Sequence, residues 1–443
     1  MLSPEIQVVL LVGLALGPYV FGGLRTEQIA VYGFLAVSMV RVLWTRLRFL
    51  RPSGETPASP IPVILALSSI LVVGLVGMIQ PPIGTPYSPD SFLASLDNAL
   101  LPIAAFTLGS LWLLTCDRRV VIRNLSFTLI ILLSVNVVLA FVQATVPGYL
   151  DEFLSNFWTQ DRSPESWSVA MNSYGNSRYS GVFNQPAEAG IAYSLGLICC
   201  VYLLRVTTRH VLQFAVRAAT LGILLGGFLT QSKVFLLVGI TIAAVSLFVG
   251  NTHKIRALLS VVALGVCATA AMFALGIPWS AARSVSFVSD GSLLDIGTAT
   301  AGRYAQGNTV MVDAAYILGD SPIHGYGLPY FGTHSDSEWV HQLGNAGILG
   351  VLLLLLSFGI LGYRLLRNST SLPGPMRGLA GGVLLLVFGA SFGLPALSAN
   401  HVGAVGCILL ALTLGGAPAP FDGRPRSIPA RFRLTSERVR ART

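Results

Sequence analysis

Leu125–Val146 reads LSFTLIILLSVNVVLAFVQATV and contains no charged residue. The hydrocarbon core of a bilayer is crossed by roughly 20 apolar residues in a helix, so this run has the length and composition of a membrane span. Similar runs lie on both sides of it. They predict helices near 5–23, 28–45, 61–79, 98–115, 125–146 and 189–204. A second set follows near 213–230, 234–250, 257–276, 341–362, 379–395 and 401–417. The chain therefore reads as an all-α polytopic membrane protein with about 12 transmembrane helices. Around 212–250 the residues Gly226, Gly227, Gln231, Ser232 and Lys233 fit either a tight turn between two spans or one broken helix.

Composition points the same way. Of the 443 residues 53% are apolar and 11% charged, with a mean hydropathy of +0.71; a soluble domain carries roughly 25% charged residues. The length would otherwise suit about three soluble domains. Here it suits one bundle over 1–417 with a tail over 418–443. Cys116, Cys199, Cys200, Cys267 and Cys407 sit in or beside apolar runs, where a thiol behaves as a small buried hydrophobe, and no disulfide framework is implied. The first run lacks a basic leader and a small-residue cleavage site, so it reads as a retained span.

Basic residues fix the expected orientation, because Lys and Arg collect in cytoplasmic loops. With the N-terminus inside, the inner segments hold Arg46, Arg48, Arg51, Arg118, Arg119, Arg123, Arg205, Arg209 and Arg217. They continue with Lys254, Arg256, Arg364, Arg367, Arg377 and seven arginines of the tail. The outer side keeps Arg25, Arg162, Arg178, Lys233, Arg283 and Arg303. This asymmetry accounts for the net charge of +9 without a nucleic-acid partner: the arginines are topology signals and contacts to anionic lipid. The Pro- and Arg-rich tail is expected to be disordered in the cytoplasm.

Two outer loops are long, about 147–188 and about 277–340, and long loops in compact proteins are usually functional or disordered. In the first, Leu150, Phe153, Leu154 and Phe157 recur at helical spacing. They describe a short amphipathic helix, lying either in the headgroup layer or against the bundle. In the second, Ser280–Thr300 reads as mobile, Gly302–Leu318 as a helix, and Gly325, Gly327, Pro329 and Gly332 as a loop leading to a helix that begins near Trp339.

Chemistry is concentrated in Gly302–Gly350, which holds Arg303, Asp313, Asp320, His324, His334, Asp336, Glu338 and His341. Ionisable groups beside a membrane bundle are functional candidates because lipid cannot solvate them. Arg178 and Arg303 lie in facing outer loops, and Lys233 ends a helix on the same side. Guanidinium binds phosphate oxygens bidentately; the bland alternative for each cation is snorkelling to the interface or a loop ion pair. His324 and His341 read as a loop residue and a helix-end residue. His334, Asp336 and Glu338 alternate, so an extended segment sets all three on one face, whereas a helical turn makes His334 and Glu338 neighbours. Either arrangement brings a carboxylate to an imidazole, as a general base requires. One short cluster is weak grounds for a metal, and none is placed here.

At these residues the chain resembles the bacterial O-antigen polymerase and O-antigen ligase family. The resemblance rests on SGVFNQPAEAG, on LTQSKVFLL and on GDSPIHGYGLPYF…HSDSEWVHQLGNAGILG, covering roughly Arg178 to Gly350. It implies a fold like the C-type membrane glycosyltransferases and an active site on the periplasmic face of the inner membrane. The implied reaction is inverting transfer of a glycan from undecaprenyl pyrophosphate to an acceptor sugar hydroxyl, with no metal or other cofactor. The implied partners are the lipid-linked oligosaccharide, an acceptor glycan, the bilayer and a chain-length regulator. Arg178, Arg303 and Lys233 would bind the pyrophosphate, while His334 or Asp336 would act as base with Glu338 as supporting carboxylate. The family's ligases place His-Asn where this chain has Asp336-Ser337, and His334 stands two residues earlier. That offset favours a polymerase over a ligase. A transporter or flippase without bond-making is the reading of a different class, disfavoured because the spans are nearly free of charge.

Overall fold

Where an apolar run has helix-forming residues and no internal break, the computed structural model shows a helix, and the deviations fall at Pro and Gly. It describes residues 2–20, 24–48, 60–79, 92–146, 148–158, 169, 172–173, 177–248, 309–328, 337–368, 372–399 and 401–414. The first helix, α1 (Pro4–Ala15), ends well short of the predicted 23. Pro18 has no amide hydrogen with which to continue it, and the Thr26 hydroxyl binds the Leu14 and Pro18 carbonyls at 2.6 and 3.2 Å. A two-residue hairpin follows, β1 (Tyr19–Val20) paired antiparallel with β2 (Leu24–Arg25). Then come α2 (Thr26–Arg48), α3 (Ile61–Gly77), α4 (Phe92–Thr115) and α5 (Arg118–Thr145). The short α6 (Asp151–Trp158) precedes α7 (Pro186–Val206) and α8 (His210–Leu229).

The ambiguity at 212–250 resolves as a tight turn, Thr230–Lys233, between two helices. The second opens with a π-helical stretch, Val234–Gly239, that runs into α9 (Ile240–Phe248). Beyond the gap in the described residues lie α10 (Thr309–Asp320), α11 (Glu338–Arg367), α12 (Gly374–Ala390) and α13 (Gly403–Leu414). The helix predicted near 257–276, the Ser280–Thr300 segment and the tail fall outside the described residues.

Among the described residues six helices are long and apolar enough to cross a membrane: Thr26–Trp44, Phe92–Thr115, Arg118–Thr145, Pro186–Val206, His210–Leu229 and Glu338–Arg367. Shorter apolar helices include Pro4–Ala15, Ile61–Gly77, Val234–Ser246, Gly374–Ala390 and Gly403–Leu414. Two helices are the posts of the bundle. Every residue of α13 is buried, as are nearly all those of α7. Both are apolar around nearly the whole circumference and carry Gly, Ala and Cys, which suits close packing on all sides. The outer helices turn apolar side chains outward as well: Ile131, Val135 and Val138 form an exposed stripe on α5, while Leu125, Leu129 and Leu133 are buried behind it. An exposed stripe of that kind is what a lipid-facing helix needs, and the architecture is that of an all-α membrane protein.

Hydrogen bonds between helix termini sort the bundle into two ends. At one, Arg25 reaches Asp97 (3.1 Å) and the His401 amide reaches Glu27 (2.9 Å). At the other, Arg118 binds the Thr413 carbonyl and Arg364 binds that of Leu414 (3.3 Å). Arg118, Arg119, Arg205, Arg209, Arg364, Arg367 and Arg377 all lie at or beside helix termini of this second, basic end.

Candidate functional site

Arg178 and Lys233 come together at the opposite end. The chain from Ser177 to Gln185 lies along the turn that follows α8. The Tyr179 amide donates to the Leu229 carbonyl (3.0 Å) and Gln231 Nε2 to the Ser177 carbonyl (3.1 Å). Arg178 clamps the turn from its side, with Nε 3.1 Å from the Thr230 oxygen and a terminal nitrogen 3.4 Å from that of Gln231. Lys233 stands two residues further, immediately before the π-helical stretch. Ser177 and Gln231 both adopt left-handed backbone, with φ of 51° and 50°. Neither is glycine, so each costs about 1–2 kcal/mol. Such strain persists where the surroundings hold it in place, often at functional sites.

What holds it is the polar lining of α5. Asn136 takes the Val182 amide (2.8 Å) and donates to the Ser180 carbonyl (3.1 Å) and to the Tyr193 hydroxyl (2.8 Å). Gln143 takes the Gly181 amide (2.9 Å) and donates to Asp151 (2.9 Å) at the start of α6. An amide in an apolar core without partners costs about 2 kcal/mol or more, so these two side chains and the loop backbone satisfy one another. The α6 helix is docked as well as amphipathic: Asp151 and Leu154 are buried and Trp158 donates to the Leu16 carbonyl (3.0 Å), while Phe153 and Phe157 are exposed.

The helix expected to begin near Trp339 starts at Glu338, but the single span predicted near 341–362 is broken at Gly347 (φ 63°, ψ −160°). Into the break fits the Ser321–Leu328 loop. The amides of Ile348 and Leu349 donate to the carbonyls of Pro322 (2.8 Å) and Ile323 (3.2 Å), and the Tyr326 amide donates to that of Gly344 (2.7 Å). The Leu328 amide reaches the Gly74 carbonyl on α3 (3.1 Å). Irregular backbone at membrane depth needs such partners. The GDSPIHGYG and GNAGILG segments are thus two halves of one clasp, and the clasp ends in the segment that carries Glu338.

Glu338 is buried. Its carboxylate accepts from Gln342 Nε2 (2.8 Å) and from the Leu397 amide (3.2 Å), and its own amide donates to the Ser391 carbonyl (2.9 Å). It therefore fastens the loop between α12 and α13, and beside it, with Asn98 and Gln342, it lines a cavity of about 30 Å³. His341 lies one turn on, 2.9 Å from the Asn345 side-chain nitrogen. His324 makes a contact of 3.0 Å with the Gly325 carbonyl. Both are fixtures of the clasp. Arg303, His334 and Asp336 lie outside the described residues.

Sequence reasoning missed a buried ionic cluster at the same end. Arg25 is paired with Asp97 (3.1 Å) and with Glu27 (3.5 Å). Asp97 also accepts from Tyr32 (2.8 Å) and Gln28, and the Arg25 amide donates to Gln28 (2.7 Å). The His401 ring donates from Nδ1 to the Ala15 carbonyl (2.6 Å) and stands edge-on to Tyr19 and Phe183, at 6.0 and 5.9 Å. That donation makes Nδ1 the protonated nitrogen of a neutral ring, and burial holds the imidazole down to about 4. The available signal was the lone carboxylates Glu27 and Asp97 at the margins of apolar runs. Through Phe183 the cluster adjoins the loop that carries Arg178.

Among the described residues no three His, Cys, Asp or Glu are grouped as metal ligands. Neither the models of known protein families nor the curated proteins match this chain.

Proposed function

We propose that this protein is a membrane polysaccharide polymerase of the inner membrane, acting at the periplasmic face on undecaprenyl-pyrophosphate-linked glycans. The observation that carries the reading is the meeting of Arg178 and Lys233 on one strained turn. A guanidinium fixed by two backbone carbonyls has already lost much of its rotamer freedom, so it binds an anion at less entropic cost than a mobile one. Two cations at that turn, joined by Arg303 from the second outer loop, would stabilise the pyrophosphate where negative charge develops in the transition state. In the step itself the acceptor sugar oxygen attacks the anomeric carbon and the bond from that carbon to the pyrophosphate oxygen breaks. Configuration inverts, and the hydroxyl proton passes to His334 or Asp336. The pyrophosphate is an activated leaving group, so the step needs no metal. Glu338 serves as the support: it fastens the start of α11 to the loop between α12 and α13.

Two observations favour a second reading, a carrier of lipid-linked glycans that makes no bond. The Arg25–Glu27–Asp97 cluster and the break in α11 are the buried charges and discontinuous helices that carriers employ. Purified protein reconstituted with lipid-linked repeat units separates the readings. Lengthened lipid-linked chains, with His334→Ala or Asp336→Asn inactive, support the polymerase. Transfer only to a different acceptor indicates a ligase. Movement of the substrate across the bilayer without new glycosidic bonds overturns both enzymatic readings.

A further inference from the structure

At the basic end, guanidinium groups from two helices meet the C-terminus of α13, and those of two further helices stand at the same end of the bundle. Arg118 and Arg364 take the Thr413 and Leu414 carbonyls, the end of a helix where partial negative charge gathers. Arg377 donates to the Leu372 carbonyl (3.4 Å), and Arg205 lies 3.3 Å from where a Cβ on Gly378 would stand. Arg118, Arg119 and Arg123 also lie about the Tyr202 phenol. A helix terminus supplies only about half a negative charge. Among the described residues the carboxylates at this end are Glu5, beside Arg41, and Asp117, whose side chain caps α5 through the Arg119 amide (2.8 Å). The Nε atoms of Arg118 and Arg377 are buried without a hydrogen-bond partner.

We propose that the Arg118, Arg205, Arg364 and Arg377 cluster binds the phosphodiester headgroup of an anionic phospholipid. Charge complementarity calls for an anion. The surface beside the cluster says which kind: Tyr363 and Leu366 on α11, and Val211 and Phe214 on α8, are exposed apolar side chains at the same end. A soluble anion would use the charges alone, whereas a phospholipid also covers those side chains with its acyl chains. Lys and Arg near a membrane surface attract anionic lipid strongly enough to change affinity about fivefold per residue.

The test uses the full chain in phosphatidylcholine nanodiscs, titrated with cardiolipin or, separately, with inorganic phosphate. Thermal stability and lipid retention by native mass spectrometry are the readouts. Cardiolipin should be retained and should raise the unfolding temperature, and the Arg118→Gln/Arg377→Gln double variant should bind it about thirtyfold more weakly. Arg209→Gln, at the exposed start of α8, should respond as wild type does. Equal stabilisation by inorganic phosphate, or by added neutral lipid, overturns the assignment. So does an equal loss in the Arg209 variant. Should the double variant fail to fold, the wild-type lipid titration alone still decides.

Discussion

Gly347→Ala tests the clasp directly. The residue sits at φ 63° and ψ −160°, a region essentially reserved for glycine, in which another residue costs about 1–3 kcal/mol. A Cβ there would also collide with the Ile323 carbonyl and stand 2.5 Å from the His324 nitrogen. Those are backbone atoms held by the Ile348 and Leu349 amides, so they cannot turn aside as a side chain would. Overpacking of that kind adds about 1–3 kcal/mol, and the two effects together come to about 4 kcal/mol. For a chain of this size the unfolding temperature should fall by about 4–8 °C. Gly359 is the control: it lies in the same helix, and a Cβ there meets nothing within 4 Å. Gly359→Ala should be neutral or stabilising by up to about 1 kcal/mol. Tryptophan fluorescence during heating in detergent reads both variants. If Gly347→Ala unfolds within about a degree of wild type while Gly359→Ala does the same, the broken-helix clasp is refuted.

Three further outcomes are expected. Arg178→Lys should lose chain extension nearly as completely as Arg178→Ala at equal membrane abundance, because an ammonium cannot hold two carbonyls and an anion in one plane; full-length glycan from the Lys variant would reduce Arg178 to a surface charge. Asp97→Asn should destabilise by about 3 kcal/mol, since it removes the nearer of the two carboxylates paired with the buried Arg25 and leaves Glu27 at 3.5 Å, and an unchanged unfolding temperature in detergent would show that the cluster is not structural. The His401 imidazole is held down to about 4 in the fold against about 6.5 unfolded. The unfolded chain therefore binds the extra proton first, and stability should fall as pH drops from about 6.5 towards 4, by up to about 2 kcal/mol at pH 5. His401→Gln should flatten that part of the profile, and an unchanged slope in the variant would remove His401 as its source.

Helices were legible where apolar runs are long, because the bilayer sets span length and leaves its mark on composition, and among the described residues six helices reach the length of a span. Breaks inside apolar sequence were not. GNAGILG continues the hydropathy of its helix without interruption, and only the loop docked at Gly347 shows that the backbone turns there. Pro18 announced an end to α1, but the hairpin beyond it has strands of two residues, too short to carry a period. At the site, the positive-inside asymmetry set Arg178 and Lys233 on one side, which is what sidedness can deliver. It could not show that Gln231 and Ser177 zip the two segments together. The ionic cluster was out of reach for a different reason. Glu27 and His401 are 374 residues apart, and neither run that flanks them has a pattern that selects the other.

The loop between α12 and α13 explains why residues so distant belong to one site. Two buried carboxylates hold it: Glu338 takes the Leu397 amide from the clasp side, and Glu27 takes the His401 amide from the hairpin side. The Glu27 carboxylate, on α2, also faces the Ala404 amide in the first turn of α13, where a negative charge favours the helix dipole. His401 in turn packs edge-on to Phe183, five residues beyond Arg178. A change at Glu338 can therefore reach the Arg178 loop through Leu397, His401 and Phe183 without Glu338 touching substrate. By the same route, loss of activity in a Glu338 variant has two origins, and they differ in where they register. A carboxylate that supports the base alters the pH dependence of transfer and leaves unfolding unchanged. One that only fastens the loop lowers the unfolding temperature and weakens substrate binding at the arginine. The geometry, with both Glu338 oxygens engaged inside the bundle, places its main weight on fastening.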